Sequence, residues 1–216
     1  YEILRCLVGS EMCIRDRGQT MDSNFFALIS RMRYIARWGL MRNALPENIQ
    51  EHSHMVAVLA HALGVIRRDI FHQPCDVNAL ATAALYHDAS EILTGDLPTP
   101  IKYHNAEIMS AYHAVEDLAV QKLLGMLPPE LRETYADVLA EDKDGDIYPL
   151  VKAADKLSAY IKCIEERKAG NNEFLSAEAQ TRAALEASPL PEVQYFLEHF
   201  IPAFERDLDE LGAIGQ

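Results

Sequence analysis

From Ser23 onward the chain carries its apolar residues almost everywhere at helical spacing, and no block of alternating apolar and polar residues is long enough to make a strand. That feature restricts the fold to all-α, because a half-buried sheet needs period two and a packed helix needs i, i+3, i+4. At this chain length a single-domain helical bundle is expected. Phe25, Phe26, Ile29, Met32 and Ile35 place a first helix over Ser23 to Trp38, with Ser23 as its cap. Val56, Leu59, Ala60, Leu63 and Ile66 form the buried stripe of a second, from about Glu47 to Arg68. Asp76 stands where an N-cap is expected for a third, rich in Ala and Leu, running through Leu93. Gly95, Pro98 and Pro100 end it and impose a stiff loop, because proline fixes φ and cannot continue helical hydrogen bonding. Further helices are expected at about His104 to Met126, Pro129 to Ala140, Ile147 to Lys168, Glu173 to Ala187 and Pro191 to Leu211, with a mobile surface loop at Asp142 to Asp146.

At 216 residues and 49% hydrophobic content, the chain is long enough for one compact domain and short for two. Its 20 Lys and Arg against 33 Asp and Glu give a net charge of -13, which disfavours a polymeric nucleic acid partner. A small phosphorylated ligand stays open, because a few Arg or Lys side chains focused in a pocket outweigh the acidic surface around them. Cys6, Cys13, Cys75 and Cys163 form no CxxC pair, and their sparse spacing fits a reducing cytoplasm. Every apolar segment is broken by charge well short of a membrane span, so no membrane partner is expected. Residues 1–20 lack both an amphipathic period and the order of a secretory signal. Back-translating CLVGSEMCIRDR, residues 6 to 17, can give the sequence of a transposase-type library adapter in one frame. The first twenty residues are therefore expected to be a non-native or disordered leader, with Met21 as the start and 21–216 as the domain.

The stretch that concentrates chemistry is YHDASEILTGDLPTP, residues 86 to 100, with His87 and Asp88 adjacent and Glu91 one turn further on. Neighbouring residues on a helix point about 100° apart, yet both members of the doublet can converge on an ion beside a helix end. The Ala, Leu and Thr of residues 79 to 86 bury these polar groups, and a buried carboxylate must be neutralised, paired or bound to metal. Imidazole plus carboxylate suits borderline divalent ions such as manganese, cobalt, iron or zinc. His52, at the start of the second helix, and Asp155, polar among Leu150, Val151, Ala154, Leu157 and Tyr160, are candidates to complete the set. Taken alone, a His-Asp doublet is more often a surface pair, Trp38 more often core, and Arg37 more often a surface ion pair. The joint order His, His-Asp, Asp is what favours a site.

In that order, and in the segments RWGLMRN (37 to 43), EHSHMVA (51 to 57), YHDASEILTGDLPTP (86 to 100), KAADKLSAYIKC (152 to 163) and AGNNEF (169 to 174), the chain resembles the bacterial 5'-deoxynucleotidase branch of the HD superfamily of metal-dependent phosphohydrolases. The resemblance runs from about Asp22 to the C-terminal helix and implies an HD-type bundle. It implies that His52, His87, Asp88 and Asp155 hold the metal, that Arg37 and Trp38 contact phosphate and sugar, that Asp96, Leu97, Pro98 and Thr99 form the substrate loop, and that Glu91 is an acid beside the metal. Gly39 stands where many relatives carry proline after the tryptophan, which puts the stiffness of that loop in doubt. The resemblance further implies one divalent cation per protomer (cobalt, manganese or similar), a deoxynucleoside monophosphate as partner, and a homodimer.

In the mechanism these residues fit, the ion activates water, Arg37 receives phosphate oxygens, and Asp88 or Glu91 passes a proton to the leaving oxygen. Trp38 and Asp96 are placed to read the sugar. His104 and His113 are the residues to check for a second metal, although both lie beyond the proline-rich loop. The apolar residues Val193, Phe196, Leu197 and Phe200 suit a dimer interface or the core equally. Two rival functions remain: another HD phosphohydrolase acting on a nucleoside triphosphate, cyclic nucleotide or dinucleoside, and a non-catalytic helical module that binds nucleotide.

Overall fold

A computed structural model describes residues 23–102, 104–140 and 145–212. The expectations for the leader at 1–20, for Met21 and for the loop at 142–144 fall outside the described residues. Among the described residues the only β pairing is a single isolated bridge, Ala36 to Asn48, and every other element is helical.

The first helix, α1, covers Phe25–Ile29 and tightens into a 3-10 turn over Ser30–Tyr34, so it stops short of Trp38. Ser23 does not cap it. Its Oγ donates to the Met126 carbonyl at 2.6 Å instead, tying the N-terminal end to the helix that ends at Gly125. The helix ends early because the chain turns extended at Ile35 and pairs with the segment before the next helix: Ile49 N donates to Ile35 O at 3.0 Å and Arg37 N to Glu47 O at 2.9 Å. Sequence periodicity is blind to such a non-local pairing.

Helix α2 is Ile49–Val65, widening into a π-helical turn over Ile66–Ile70. Asn48 caps it, accepting from Gln50 N and Glu51 N while the Glu51 carboxylate accepts from Asn48 N, a reciprocal capping box that satisfies orphan donors at the helix start. Val56, Leu59, Ala60, Leu63 and Ile66 are buried as expected. Helix α3 is Val77–Tyr86, capped by Asp76 Oδ1 as the sequence predicts. Gly64 lies at the closest approach of α2 to α3, where a Cβ would meet Leu80 at 3.0 Å.

Helix α3 does not run through to Leu93. It breaks at the doublet, and residues 87 to 90 form turns before the short α4, Glu91–Thr94. The physical reason is local: the His87 ring takes the Ala84 carbonyl through Nδ1 at 2.7 Å, and the backbone goes over to i+3 bonds such as Ala89 N to Tyr86 O at 2.9 Å. Gly95 ends α4 at φ +75° and ψ 160°, a region closed to residues with a Cβ.

A one-turn helix unforeseen in the sequence, α5, spans Thr99–Lys102. There follow α6 (Ala106–Gly125), α7 (Pro129–Leu139), α8 (Tyr148–Lys168), α9 (Leu175–Glu186, after a 3-10 turn at Asn172–Phe174) and α10 (Pro191–His199). The expected last helix through Leu211 ends at His199, because Pro202 cannot donate to a continuing helix and the chain tightens into a 3-10 turn over Ile201–Glu205. Helix α2 packs against both α3 and α8, and their stripes form the larger core together with Val193 and Phe196 of α10. The C-terminal stripe is thus spent on the core, with Leu197 packed against it and only Phe200 substantially exposed, at 45%. A smaller core joins Phe25 and Ala89 to Leu123, Leu124, Leu127 and Leu139. No helix among the described residues is long and apolar enough to cross a membrane.

Candidate active site

Three of the helices that build the larger core also deliver the polar residues singled out in the sequence. His52, one turn into α2, is fully buried, and Asp155 lies two turns into α8. His87 and Asp88 come off the frayed end of α3. His52 Nε2 is 3.0 Å from Asp155 Oδ1 and 3.6 Å from Asp88 Oδ2, while His87 Nε2 is 3.2 Å from Asp88 Oδ2. Donor atoms of His52, His87 and Asp155 all lie within 4.8 Å of one another. The four expected ligands therefore converge from three separate stretches of chain.

The donor set fits a divalent cation. A carbonyl cannot donate, so the short contact from Ala84 O makes His87 Nδ1 a protonated nitrogen and leaves Nε2 as the ring atom that could bind an ion. His52 Nδ1 is likewise engaged, at 3.2 Å from Ser158 Oγ. Both Nε2 atoms are buried and make no hydrogen bond of acceptable geometry, despite the carboxylate oxygens nearby. Buried polar atoms left unmatched this way are costly in an apo core and are accounted for by a shared ion. Among the described residues this is the only such group. His113 instead pairs with Glu116 at 2.9 Å and His104 is exposed, so neither joins the cluster.

Electrostatics separates the acids. Burial raises the pKa of Asp88, but His87, His52 and Arg37 more than reverse this and hold its carboxyl well below the usual carboxylate range. Asp155 is held down in the same way, against burial, by His52 and His87. Glu91 goes the other way: burial, with Asp88 and Asp96 adding repulsion, pushes it up to about 10. Its Oε2 is buried and has no hydrogen-bond partner. Asp96 is also raised by burial, in spite of Arg37 nearby.

Arg37 and Trp38 sit in the loop between the first 3-10 turn and α2. The Arg37 side chain is 13% exposed and lies against the His52, His87, Asp88 and Asp155 group, with Nη1 3.5 Å from Asp88 Oδ2. Burial opposes its charge, yet Asp88, Asp155, Glu47 and Asp96 around it raise its pKa above the ordinary arginine value. Trp38 adopts φ +59°, left-handed backbone that a bulky residue rarely takes and that costs about 1–3 kcal/mol. Its backbone N–H faces the Asp96 carboxyl, which brings the substrate loop expected from the sequence to this residue. Leu97 and Pro98 follow half-buried, and Pro98 O starts α5 by accepting from Ile101 N and Lys102 N. The Thr99 side chain lies outside the described residues.

Sequence reasoning missed the residues that brace this loop. Glu47 Oε2 accepts from Arg37 Nε at 3.1 Å and from Trp38 Nε1 at 3.0 Å. Beneath the loop, the buried Glu166 accepts from Ala44 N (2.8 Å), Leu45 N (3.0 Å), Asn171 Nδ2 (2.8 Å) and Lys162 Nζ, and Lys162 also donates to Leu45 O. Residues 162 and 166 look like an ordinary i, i+4 surface pair; the apolar Ile161, Cys163 and Ile164 beside them were the available sign of burial.

A family model described as 5'-deoxynucleotidase YfbR-like matches residues 24–204. The curated 5'-deoxynucleotidase YfbR proteins of Shigella boydii and of Escherichia coli strain K12 are each 50% identical to this chain over 192 residues, 88% of this chain and 96% of theirs. Among solved structures, an HD-domain phosphohydrolase from Listeria innocua superposes with a TM-score of 0.75 at 25% identity, covering 86% of this chain and 90% of that one. The cyanophage S-2L HD phosphohydrolase, solved with dA and one catalytic Zn2+ ion, superposes with a TM-score of 0.53 at 26% identity, covering 85% and 96%.

Proposed function

The chain belongs to the YfbR-like family of 5'-deoxynucleotidases, and on that premise we propose how its residues divide the work of hydrolysing a 5'-deoxynucleoside monophosphate to deoxynucleoside and phosphate. The protein is a phosphoric monoester hydrolase that depends on a divalent metal. His52, His87, Asp88 and Asp155 hold the ion, and two imidazoles with two carboxylates suit cobalt, manganese or a similar cation. When bound there, the cation brings the pKa of water towards neutrality and draws charge off a phosphoryl oxygen.

Arg37 presents its guanidinium beside the cluster and donates to the remaining phosphate oxygens. Glu91 carries the proton. Burial raises its carboxyl and its Oε2 has no hydrogen-bond partner, which suits it to hand a proton to the 5' oxygen as the P–O bond breaks and water oxygen bonds to phosphorus. Trp38 and Asp96 line the sugar side, where a close wall rejects an added 2'-hydroxyl. Leu97, Pro98 and Thr99 complete that loop. A homodimer is part of the same reading, supported by the exposed Val115 and Leu118 on α6, and sedimentation giving a single-protomer mass would end it.

The observation that carries this reading is the meeting of four metal-binding side chains from three helices with the Arg37 guanidinium at their edge. It is tested by phosphate release from paired deoxy- and ribonucleoside monophosphates with manganese or cobalt, counting metal per protomer. The expected result is one ion, faster release from the deoxy member of each pair, and loss of turnover in Asp88→Asn. Equal rates on both sugars, or full activity in Asp88→Asn, would overturn it.

A further inference from the structure

The loop that carries Arg37 and Trp38 is fixed twice, by two different carboxylates. Glu166 holds its backbone: it accepts the N–H groups of Ala44 and Leu45 and is neutralised by Lys162. Glu47 holds its side chains. One oxygen of its carboxylate, Oε2, receives both Arg37 Nε and Trp38 Nε1, and its own carbonyl receives Arg37 N. The phosphate-facing guanidinium and the indole are therefore oriented by the same atom, in a pocket where the Glu47 side chain is only 15% exposed and water competes poorly. The edge of Phe174, with ring centroids 5.3 Å apart, supports the indole from another side.

We propose that Glu47 is a positioning residue that locks Arg37 and Trp38 into one unit, so that the phosphate clamp and the sugar wall are set together and discrimination between deoxyribose and ribose depends on a residue that touches neither. The inference rests on the reading of Arg37 and Trp38 as phosphate and sugar contacts. Because Nε is held by Glu47, the two Nη atoms are left to face the metal cluster and the phosphate, a fork that works only at a fixed angle. The indole held at Nε1 cannot swing to admit a larger sugar. Gly39, next in the chain, adds no stiffness, and a Cβ placed there would meet nothing within 4 Å. Glu47 supplies the rigidity that the backbone at residue 39 lacks.

Trp38 is the only tryptophan in the chain, so its fluorescence reports this lock directly and without substrate. In Glu47→Ala, acrylamide quenching of Trp38 should rise above wild type, kcat/KM for deoxynucleoside monophosphates should fall on the order of 10- to 100-fold, and the deoxy-to-ribo rate ratio should fall towards unity at unchanged metal content. Glu47→Gln keeps one oxygen able to accept both donors and should recover most of the ratio and the quenching. The proposal is overturned if Glu47→Ala leaves Trp38 quenching as in wild type, or if both sugars lose rate equally while the ratio stays constant. A wild-type protein that releases no phosphate from either sugar sinks the function reading instead, and the fluorescence comparison then decides the role of Glu47 alone.

Discussion

Arg37 shows how much of this site depends on shape rather than charge. Its Nε is occupied by Glu47 and its Nη1 reaches towards Asp88 at 3.5 Å, so the remaining donors point outwards in a planar fork. Lysine keeps the charge but can satisfy only one of these directions at a time. Arg37→Lys is therefore expected to lower kcat/KM on the order of 100- to 1000-fold while leaving bound metal unchanged, measured by steady-state kinetics beside metal analysis. A variant within a few-fold of wild type would mean that charge alone suffices. At this scale the sequence was informative wherever a polar side chain stood among apolar ones, because burying an unmatched charge is too costly to be accidental. His87, Asp88 and Asp155 were legible for that reason, whereas His52, flanked by Glu51 and Ser53, was legible only through its place in the order His, His-Asp, Asp. Glu47 and Ser158 were not, since each acts only on a residue distant in sequence or lying outside any helical period, and nothing about their own neighbours marks them.

At the scale of single elements, one of the two expected caps holds, Ser23 bonding the Met126 carbonyl instead, and the expected ends of α1 and α3 do not hold. Asp76 caps α3 as expected, but α1 stops where its successor pairs with Asn48, and α3 breaks where the His87 ring takes a backbone carbonyl. The first break comes from a non-local pairing and the second from a side chain bonding to the backbone, neither of which apolar periodicity registers, and both occur beside functional residues. The Lys162 and Glu166 pair of α8 is the clearest case of an element's face used to hold something else. Lys162, Asn171 and the two loop amides overcome the effect of burial and bring the Glu166 carboxyl down to about 2, against an ordinary value of 4.5. A carboxyl lowered in the folded state stabilises it fully above its unfolded pKa, and the gain disappears as pH falls through the folded value. The stability advantage of wild type over Glu166→Gln should then be constant from pH 7 to about pH 5 and shrink between about pH 4.5 and 2. Near neutrality the variant should lose about 3–5 kcal/mol, because Lys162 is left buried without its counter-charge. Urea unfolding at several pH values reads both effects; a difference independent of pH would show that the carboxylate charge is not what holds the loop.

For the whole molecule, helical period sufficed to give the fold class, since a stripe that recurs at i, i+3, i+4 can bury itself only against other helices. What it did not give was which helices meet. That α2 lies against both α3 and α8 is a property of tertiary packing, and this arrangement is what turns three distant segments into one site. The same arrangement makes the cation a structural tie. Asp88, Asp155, Glu91 and Asp96 crowd around one arginine and two histidines, and burial, with repulsion from the negative charge of Asp88 and Asp96 added, raises the Glu91 carboxyl. A divalent ion offsets that charge and joins α2, α8 and the end of α3, none of which is assembled in the unfolded chain, so its binding energy adds to folding. At metal concentrations about 100 times the dissociation constant the gain is about 2.7 kcal/mol, which for a chain of this size raises Tm by roughly 5–10 °C over the chelated protein. Thermal unfolding with EDTA and with manganese measures it, and Asp155→Asn should abolish the difference by removing the ligand from α8. Equal melting temperatures with and without metal would show that the three helices hold the site in place unaided.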